Sequence, residues 1–446
     1  MTNIQKEMIF SLSSGNGRAG VSVFRLSGEG SLKTALILSG RKKLTPRFAH
    51  LSKLRNDKGD ILDEALVLYF PAPHSFTGED VIEFHCHGSP IIVQAMGRCL
   101  SQLGARQAEA GEFTRRAVLN GQMDLTEAEG LADLIDSETD AQHKQAMRQM
   151  QGGLSDIYNG WKENLLDALA QIEGEIDFPD EEDIPDALSH KAYPILEGIK
   201  DNIDILLEDS IRGQKVREGI FVTLIGAPNS GKSSIINRLS NSDVAIVTDK
   251  AGTTRDVLTA DIVIGGLAVT VSDTAGLRET KDIIEGEGVR RAKEKALQSD
   301  LRLWVVDGSI TAWPDKPESV TMKDILLINK SDELNIKTAS KPSDITSFNM
   351  SAKTGEGFDD FYNHLESELI NRFAPLSDAG LTRQRHRDCA LRAQESVVRA
   401  MSALAIAPEL AGEDIRRALQ ALRELAGDSD IESVFDRIFS RFCVGK

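Results

Sequence analysis

Apolar residues in the first 120 positions come in short runs punctuated by Gly, Pro and Ser. Gly20-Val-Ser-Val-Phe-Arg-Leu26 and Glu64-Ala-Leu-Val-Leu-Tyr-Phe70 predict strands, and Pro71-Ala-Pro73 ends the second. Asp80-Val-Ile-Glu-Phe-His85 predicts another, followed by a helix near Ile91 to Leu103. These elements predict an α+β domain over residues 1–120. From about Leu125 the period lengthens. Leu154, Ile157, Trp161, Leu165, Leu169, Ile172 and Ile176 step by three or four, which draws one apolar stripe down a long helix. The stripe runs into an acidic stretch, Glu173 to Asp183, ended by Pro179 and read first as a solvated turn.

Ile220 opens a rhythm of strand, Gly-rich turn and helix that persists to about residue 373. Helical spacing then returns at Val397, Met401 and Leu404, breaks at Pro408, and resumes through Ile415, Leu419 and Leu422. Ile431, Val434, Phe435, Ile438 and Phe442 predict a last helix. An α/β block over 218–373 therefore stands between two helical stretches, 121–217 and 374–446. Each stretch has a stripe to bury, so the two are expected to pack as one discontinuous helical domain. The expected fold class is multidomain α/β.

Composition narrows the class. A chain of 446 residues carries a prior of about three domains. With 41% hydrophobic and 27% charged residues it is an ordinary globular chain, not a disordered one. A net charge of −17 argues against a broad nucleic-acid-coating surface, but leaves room for a local basic patch or a transient RNA substrate. Cys86, Cys99, Cys389 and Cys443 form no CxxC pair and read as reduced thiols. The start lacks an apolar leader, and no stretch approaches the roughly 18 apolar residues of a spanning helix. The expectation is a soluble, cytoplasmic protein without membrane contact.

Candidate chemistry concentrates in the α/β block. The strand Ile220–Ile225 leads directly into Gly226-Ala-Pro-Asn-Ser-Gly-Lys-Ser233, the phosphate-loop pattern GxxxxGK[ST] in its strand-to-helix context. Gly226 and Gly231 let backbone N–H groups curl round phosphates, Lys232 supplies a point charge, and Ser233 can ligate Mg²⁺. Asp273 ends the apolar strand of Leu267-Ala-Val-Thr-Val-Ser-Asp-Thr-Ala-Gly276, suited to hold Mg²⁺ through water, with the Gly276 N–H free for a γ-phosphate. Asn329-Lys330-Ser331-Asp332 ends another strand, and the Asp332 carboxylate can accept both N1–H and N2–H₂ of guanine. Ser351-Ala352-Lys353 can close over guanine O6. The nucleotide these motifs imply is GTP. Thr254, in Gly252-Thr-Thr-Arg-Asp256, can complete the Mg²⁺ shell and sense the γ-phosphate. Leu277 stands where Ras-like GTPases carry a water-orienting Gln, and no arginine finger is evident. Glu285 is the carboxylate to test, although its spacing alone favours an exposed loop residue.

Outside the block, His85-Cys-His87 puts two imidazoles on one strand face, but no complementary ligand pair appears at metal spacing. Cys443, near the end in Cys443-Val-Gly-Lys446, reads as a structural thiol or as part of a tail without a role.

Several blocks together resemble the MnmE (TrmE) family of tRNA-modification GTPases. They are Ser75-Phe-Thr-Gly-Glu-Asp80, Leu125-Thr-Glu-Ala-Glu129 with Ala132-Asp-Leu-Ile-Asp136, Ile176-Asp-Phe-Pro-Asp-Glu-Glu182, Gly252-Thr-Thr-Arg-Asp256 and the terminal Cys443-Val-Gly-Lys446. The resemblance spans essentially the whole chain. It implies an N-terminal domain that binds formyl-tetrahydrofolate and dimerises, a helical domain interrupted by a Ras-like G domain, and an MnmG-like partner carrying FAD. That pair would install aminomethyl or carboxymethylaminomethyl groups at C5 of the wobble uridine of certain tRNAs.

Carried over by position, Arg25, Glu83, Gln122 and Lys446 would surround the folate. Gln122 departs from the Lys the family implies; it can hydrogen-bond but cannot neutralise a carboxylate. Cys443 would be a candidate catalytic thiol able to add to C6 of uridine. The implied GTP contacts are Asn229, Ser230, Gly231, Lys232, Ser233 and Ser234; Thr248, Asp249, Lys250, Ala251, Gly252, Thr253 and Thr254; Asp273, Thr274, Ala275 and Gly276; and the two base-side loops. Asn229, Thr248, Lys250 and Thr253 would hold K⁺, which replaces the arginine finger between two G domains, and Glu285 would orient water. Two other readings remain open at this level. One is a GTP-dependent switch that binds RNA during assembly; the other is an N-terminal dimerisation module whose folate site has decayed.

Overall fold

The computed structural model describes residues 7–15, 17–177, 189–241, 259–273, 299–334, 342–375, 380–428, 438–440, 442 and 445. Contacts divide the chain into two compact units, Met1–Ala132 with Leu422–Lys446, and Asp133–Ala421.

The first unit is built on a six-stranded sheet. Its strands are β1 (Ile9–Leu12), β2 (Ala19–Ser27), β3 (His50–Arg55), β4 (Ile61–Phe70), β5 (Val81–Gly88) and β6 (Arg106–Gln107), in the spatial order β3-β4-β5-β2-β1-β6. All pairs are antiparallel except β1 with β6. Side chains alternate between the two faces. Phe24, Leu26, Val67, Ile82 and Phe84 point one way, into a core shared with α1 (Ser31–Ser39) and α2 (Pro90–Gln102). Arg25, Glu83, His85 and Leu66 point the other way, and that face is only partly covered. Pro90 starts α2, where its missing N–H leaves no helix bond unmade.

Helices α3 (Glu112–Leu119) and α4 (Leu125–Asp136) follow, and the far end of the chain returns to pack on them. Leu125, Ala128 and Phe439 form a small core with Ile438 and Phe442 at its rim. Gly111 opens α3 at φ 67°, and a Cβ there would sit 2.7 Å from the Phe439 carbonyl, so the aromatic end presses on bare backbone. Gly445 lies equally close to β1: a Cβ would stand 2.4 Å from the Leu12 carbonyl, and the Ser13 hydroxyl donates to the Gly445 carbonyl at 2.9 Å.

In the second unit the capping box of Thr139 and Gln142 starts α5 (Asp140–Met150). The long helices α6 (Gly153–Asp177) and α7 (Ser189–Glu218) follow. A second six-stranded sheet comprises β7 (Ile220–Ile225), β8 (Thr259–Ile264), β9 (Leu267–Asp273), β10 (Leu301–Asp307), β11 (Ile325–Asn329) and β12 (Thr346–Asn349). Its order is β12-β11-β10-β7-β9-β8, parallel except for β8. Helices α8 (Lys232–Ser240) and α9 (Phe358–Phe373) belong to this block, and α10 (Gln384–Ala403) and α11 (Pro408–Ala426) come after it. The block enters and leaves at one place: Arg217 donates to the Thr382 carbonyl at 2.9 Å and Arg212 to the Ala374 carbonyl at 3.1 Å. Among the described residues no helix is long and apolar enough to cross a membrane. The expected turn at Pro179 and most of the last predicted helix lie outside the described residues; Ile438 and Phe439 are helical.

A buried ion network ties α3 to the Ser75–Asp80 segment. Arg116, 3% exposed, pairs with Glu79 and Glu112 at 3.1 Å each, and Arg106 holds Glu112 at 2.7 Å. Burial works to raise the Glu112 carboxyl; hydrogen bonds from Arg106 and the Glu109 N–H, with the Arg116 charge, outweigh it and hold the group below its usual range. A carboxyl depressed on folding stabilises above its ordinary 4.5 and loses that contribution as pH falls through the folded value. Arg116→Met leaves Glu79 and Glu112 without their shared cation and should cost about 3–5 kcal/mol in urea unfolding at neutral pH. The variant should also lose less stability on acidification than the wild type does. Equal urea midpoints for the two would show that the network contributes nothing.

Candidate functional site

The buried strand β7 lies between β9 and β10, so neighbouring connections leave in opposite senses and a crevice opens at the carboxyl ends. Gly226-Ala-Pro-Asn-Ser-Gly fills that turn into α8. Two glycines are dictated by close approach. A Cβ on Gly226 would meet the Val305 carbonyl at 2.2 Å, and one on Gly231, at φ 97°, would meet Asn329 Nδ2 at 2.0 Å. Asn229 also takes positive φ, 62°. Buried Lys232 turns its ammonium into the loop, donating to the carbonyls of Gly226 at 3.2 Å and Ala227 at 3.0 Å. It stands 3.8 Å from Asp273 Oδ1. Ser233 donates to Asp273 Oδ2 at 3.3 Å, which brings a hydroxyl and a carboxylate together as hard oxygen donors suited to Mg²⁺. Ser230 is buried, its hydroxyl without a hydrogen-bond partner among the described residues, whereas Ser234 is exposed on α8.

The base-side loops converge on the same edge. Asn329 at the end of β11 works in two directions: Nδ2 donates to the Ser230 carbonyl at 2.8 Å, and Oδ1 accepts the Ala352 N–H at 2.9 Å. Lys330, at φ 62°, pairs with Asp307 at the end of β10 at 2.6 Å. Ser331 donates its N–H to the Met350 carbonyl at 3.1 Å. A hydrogen bond from Ser351 leads the causes that hold the Asp332 carboxyl below its usual range. The carboxylate is therefore ionised, an acceptor of two donors. Lys353 is exposed beside it.

Arg238 joins the site from outside the sequence motifs. From α8 it donates to the Ala352 carbonyl at 3.2 Å and lies 5.3 Å over the Phe358 ring. Its side chain passes 1.9 Å from where a Cβ on Gly355 would stand. The Ser351–Lys353 turn is thus gripped by Asn329 on one side and Arg238 on the other. No motif marks an arginine one turn further along a phosphate-loop helix, so only the packing reveals it. Thr248, Asp249, Lys250, Ala251, Gly252, Thr253, Thr254, Thr274, Ala275, Gly276 and Glu285 lie outside the described residues.

A second cluster sits on the less covered face of the first sheet. Arg25 pairs with Glu83 through Nη2 at 3.0 Å and Nε at 3.1 Å, and its guanidinium lies 5.1 Å from the Phe76 ring centre and 5.9 Å from that of Phe113. Ser11 of β1 stands opposite Arg25, and Gly445 packs at that strand's end. Gln122 is exposed; its amide lies within 3.1 Å of the space a Cβ on Gly78 would need. Cys443 and Lys446, on either side of Gly445, lie outside the described residues. The two histidines are held apart in role: His85 contacts Glu83 at 3.2 Å, and His87 contacts buried Asp63 at 2.7 Å. Among the described residues no three His, Cys, Asp or Glu side chains are grouped to hold a metal.

A phosphate loop, a carboxylate on the adjacent strand and an Asn-Lys-Ser-Asp strand end, all on one sheet edge, define a P-loop protein of the GTPase class. The family described as MnmE helical domain matches residues 125–443, and the one described as GTP-binding protein TrmE N-terminus matches residues 8–122. The tRNA modification GTPase MnmE of Maricaulis maris is 47% identical over 98% of this chain and 99% of its own length. Its counterpart in Caulobacter vibrioides is 44% identical over 99% of this chain and 100% of its own. The G domain of the T. maritima FeoB iron transporter aligns with 34% of this chain and 97% of its own, at 21% identity and a TM-score of 0.23. The chain belongs to the MnmE (TrmE) family.

Asp332→Asn replaces an acceptor pair by an amide and should shift preference from GTP towards xanthosine triphosphate, whose base presents the inverse pattern. Unchanged kcat/KM for GTP in this variant would show that Asp332 does not read the base.

Proposed function

We propose that this chain is a GTP-hydrolysing enzyme of tRNA modification. With an MnmG-like partner that carries FAD, it adds an aminomethyl or carboxymethylaminomethyl group at C5 of the wobble uridine. The observation that carries this reading is a pairing of two sites in one chain. One is a complete phosphate loop with its base-side strand end; the other is the Arg25–Glu83 pair with Gly445 packed at the neighbouring strand. The proposal includes the division into a folate-binding and dimerising domain (1–120), a helical domain in two parts (121–217 and 374–446) and an inserted G domain (218–373). It also includes a homodimer that joins its partner in the cytoplasm.

At the nucleotide, Lys232 and the loop N–H groups bind the phosphates. Ser233 and Thr254 would hold Mg²⁺, with Asp273 behind them, and the ion would supply charge compensation for the phosphates. Glu285 orients the attacking water. Asn229, with oxygens of Thr248, Lys250 and Thr253, would hold K⁺, which would supply the charge that an arginine supplies in other GTPases, worth about 10³–10⁵ in kcat. Closure of two G domains excludes water and strengthens these charges. At the other site the Glu83 carboxylate, oriented by Arg25, accepts N–H donors of a pterin. The half-buried Phe76 ring offers it apolar surface, over a core that holds buried Phe113, and Gln122 and Lys446 are the residues assigned to its polar end. Formyl-tetrahydrofolate bound there supplies the one-carbon unit, and Cys443 is the thiol able to add to the uridine ring.

Deleting Cys443 to Lys446 should abolish wobble modification while GTP turnover stays near normal. Both chains should turn GTP over much faster in KCl than in NaCl at equal ionic strength, since a fixed oxygen cage sized for K⁺ coordinates Na⁺ poorly. An unaltered tRNA nucleoside profile in the truncated chain would overturn the tail assignment. Equal rates in the two salts would overturn the cation assignment.

A further inference from the structure

Charge is distributed very unevenly in the first unit. The chain as a whole carries −17, yet Arg41 to Lys58 holds seven basic residues (Arg41, Lys42, Lys43, Arg47, Lys53, Arg55, Lys58) against the single acid Asp57. All seven are exposed, and none forms an ion pair among the described residues. They gather on one edge because β3 is the outermost strand of its sheet. Lys53 and Arg55 alternate with buried Ser52 and Leu54, so both point to the face turned away from α1 and α2. The preceding loop folds back alongside: Arg41 donates to the Ser52 hydroxyl and the Leu51 carbonyl, both at 2.6 Å. Arg47 donates its N–H to the Tyr69 carbonyl at 2.8 Å and lays its guanidinium 5.7 Å from the Phe70 ring centre.

An aromatic side chain sits within this edge. Phe48 is 59% exposed, with its ring 5.0 Å from that of His50, and His50 is fixed by accepting the Thr45 N–H at 2.9 Å. A lysine on an edge strand blocks unwanted sheet pairing, which accounts for Lys53. Edge protection does not account for the lysines of the loop or for a bare phenylalanine among them. Cations that track a phosphate backbone, with a ring free to stack on an unpaired base, are the pattern of single-stranded RNA recognition.

We propose that the Arg41–Lys58 edge is the surface on which this chain docks tRNA, with Phe48 stacking on an unpaired base of the anticodon loop. The inference rests on the tRNA-modification reading and says where the substrate lies. Its position suits that reading. The register that pairs Arg25 with Glu83 continues to Leu68 on β4, and β3 lies next to β4. Three strand spacings put the edge about 14 Å from Arg25 on the same sheet face. An RNA loop held at the edge can therefore extend a base over the sheet toward the Arg25–Glu83 pair.

The test uses the full-length chain, its Lys42→Ala/Lys43→Ala/Lys53→Ala variant and Phe48→Ala, each titrated with fluorescently labelled tRNA across a series of KCl concentrations. Removing one lysine–phosphate interaction should lower the slope of log affinity against log salt by about 0.7–0.9, so in the triple variant it should fall by about 2.1–2.7, with binding at least tenfold weaker at moderate salt. Phe48→Ala should weaken binding by about tenfold at every salt concentration with the slope unchanged. GTP turnover, which uses none of these residues, should stay within about twofold of wild type in both and certify folding. Wild-type binding that neither variant weakens would overturn the surface while leaving the tRNA reading intact. A wild-type chain with no tRNA affinity would overturn both. Loss of binding to anionic phospholipid vesicles in the triple variant, with tRNA affinity unaltered, would assign the edge to a membrane instead.

Discussion

An inserted domain must leave its host where it entered, and hydrogen bonds from charged side chains to backbone carbonyls meet that constraint here. Arg217, in the last turn of α7, grips the Thr382 carbonyl, and Arg212, one turn earlier, grips that of Ala374. Lys215 of the same turn pairs with Asp300 at the start of β10. Bonds from a charged donor contribute about 1.5–3 kcal/mol each when partly shielded. They hold the first strand of the block against the helix that delivers it, since only Gly219 separates α7 from β7. The register of β7 is thereby set from outside the block, and the phosphate loop begins where β7 ends.

The same economy governs the nucleotide site. Asn329 joins the phosphate loop to the Ser351–Lys353 turn through opposite ends of one amide, and Arg238 brings the phosphate-loop helix to that turn again. Three sequence-distant segments thus share two polar side chains. Gly231 and Gly355 are bare because those side chains need the space.

Much of this was legible in the sequence where one physical signal dominated. Buried parallel strands such as β7 and β11 are continuous apolar runs, and the phosphate loop is fixed by backbone geometry that only its glycines allow. The stripe from Leu154 to Ile176 became α6 as its period requires, and Pro408 starts a helix after the break it marks. Short elements escaped. β1 offers only Ile9–Leu12, and β3 alternates Leu, Ser, Lys, Leu and Arg with too few apolar positions to stand out. Arg238 and Asp307 carry no motif. The packing of Gly445 beside β1 includes a hydrogen bond from Ser13, 432 positions away, which no local period can encode.

Under the proposed function, nucleotide hydrolysis in the inserted block drives chemistry at the sheet that carries Arg25 and Glu83. The most direct measurement is mass spectrometry of wobble uridines in cells whose own copy is replaced by Lys232→Ala, with protein abundance matched to wild type. The modified nucleosides should disappear and the unmodified uridine accumulate, although the sheet, Arg25, Glu83 and the C-terminal residues are untouched. Wild-type levels of modified nucleoside in that strain would contradict this reading.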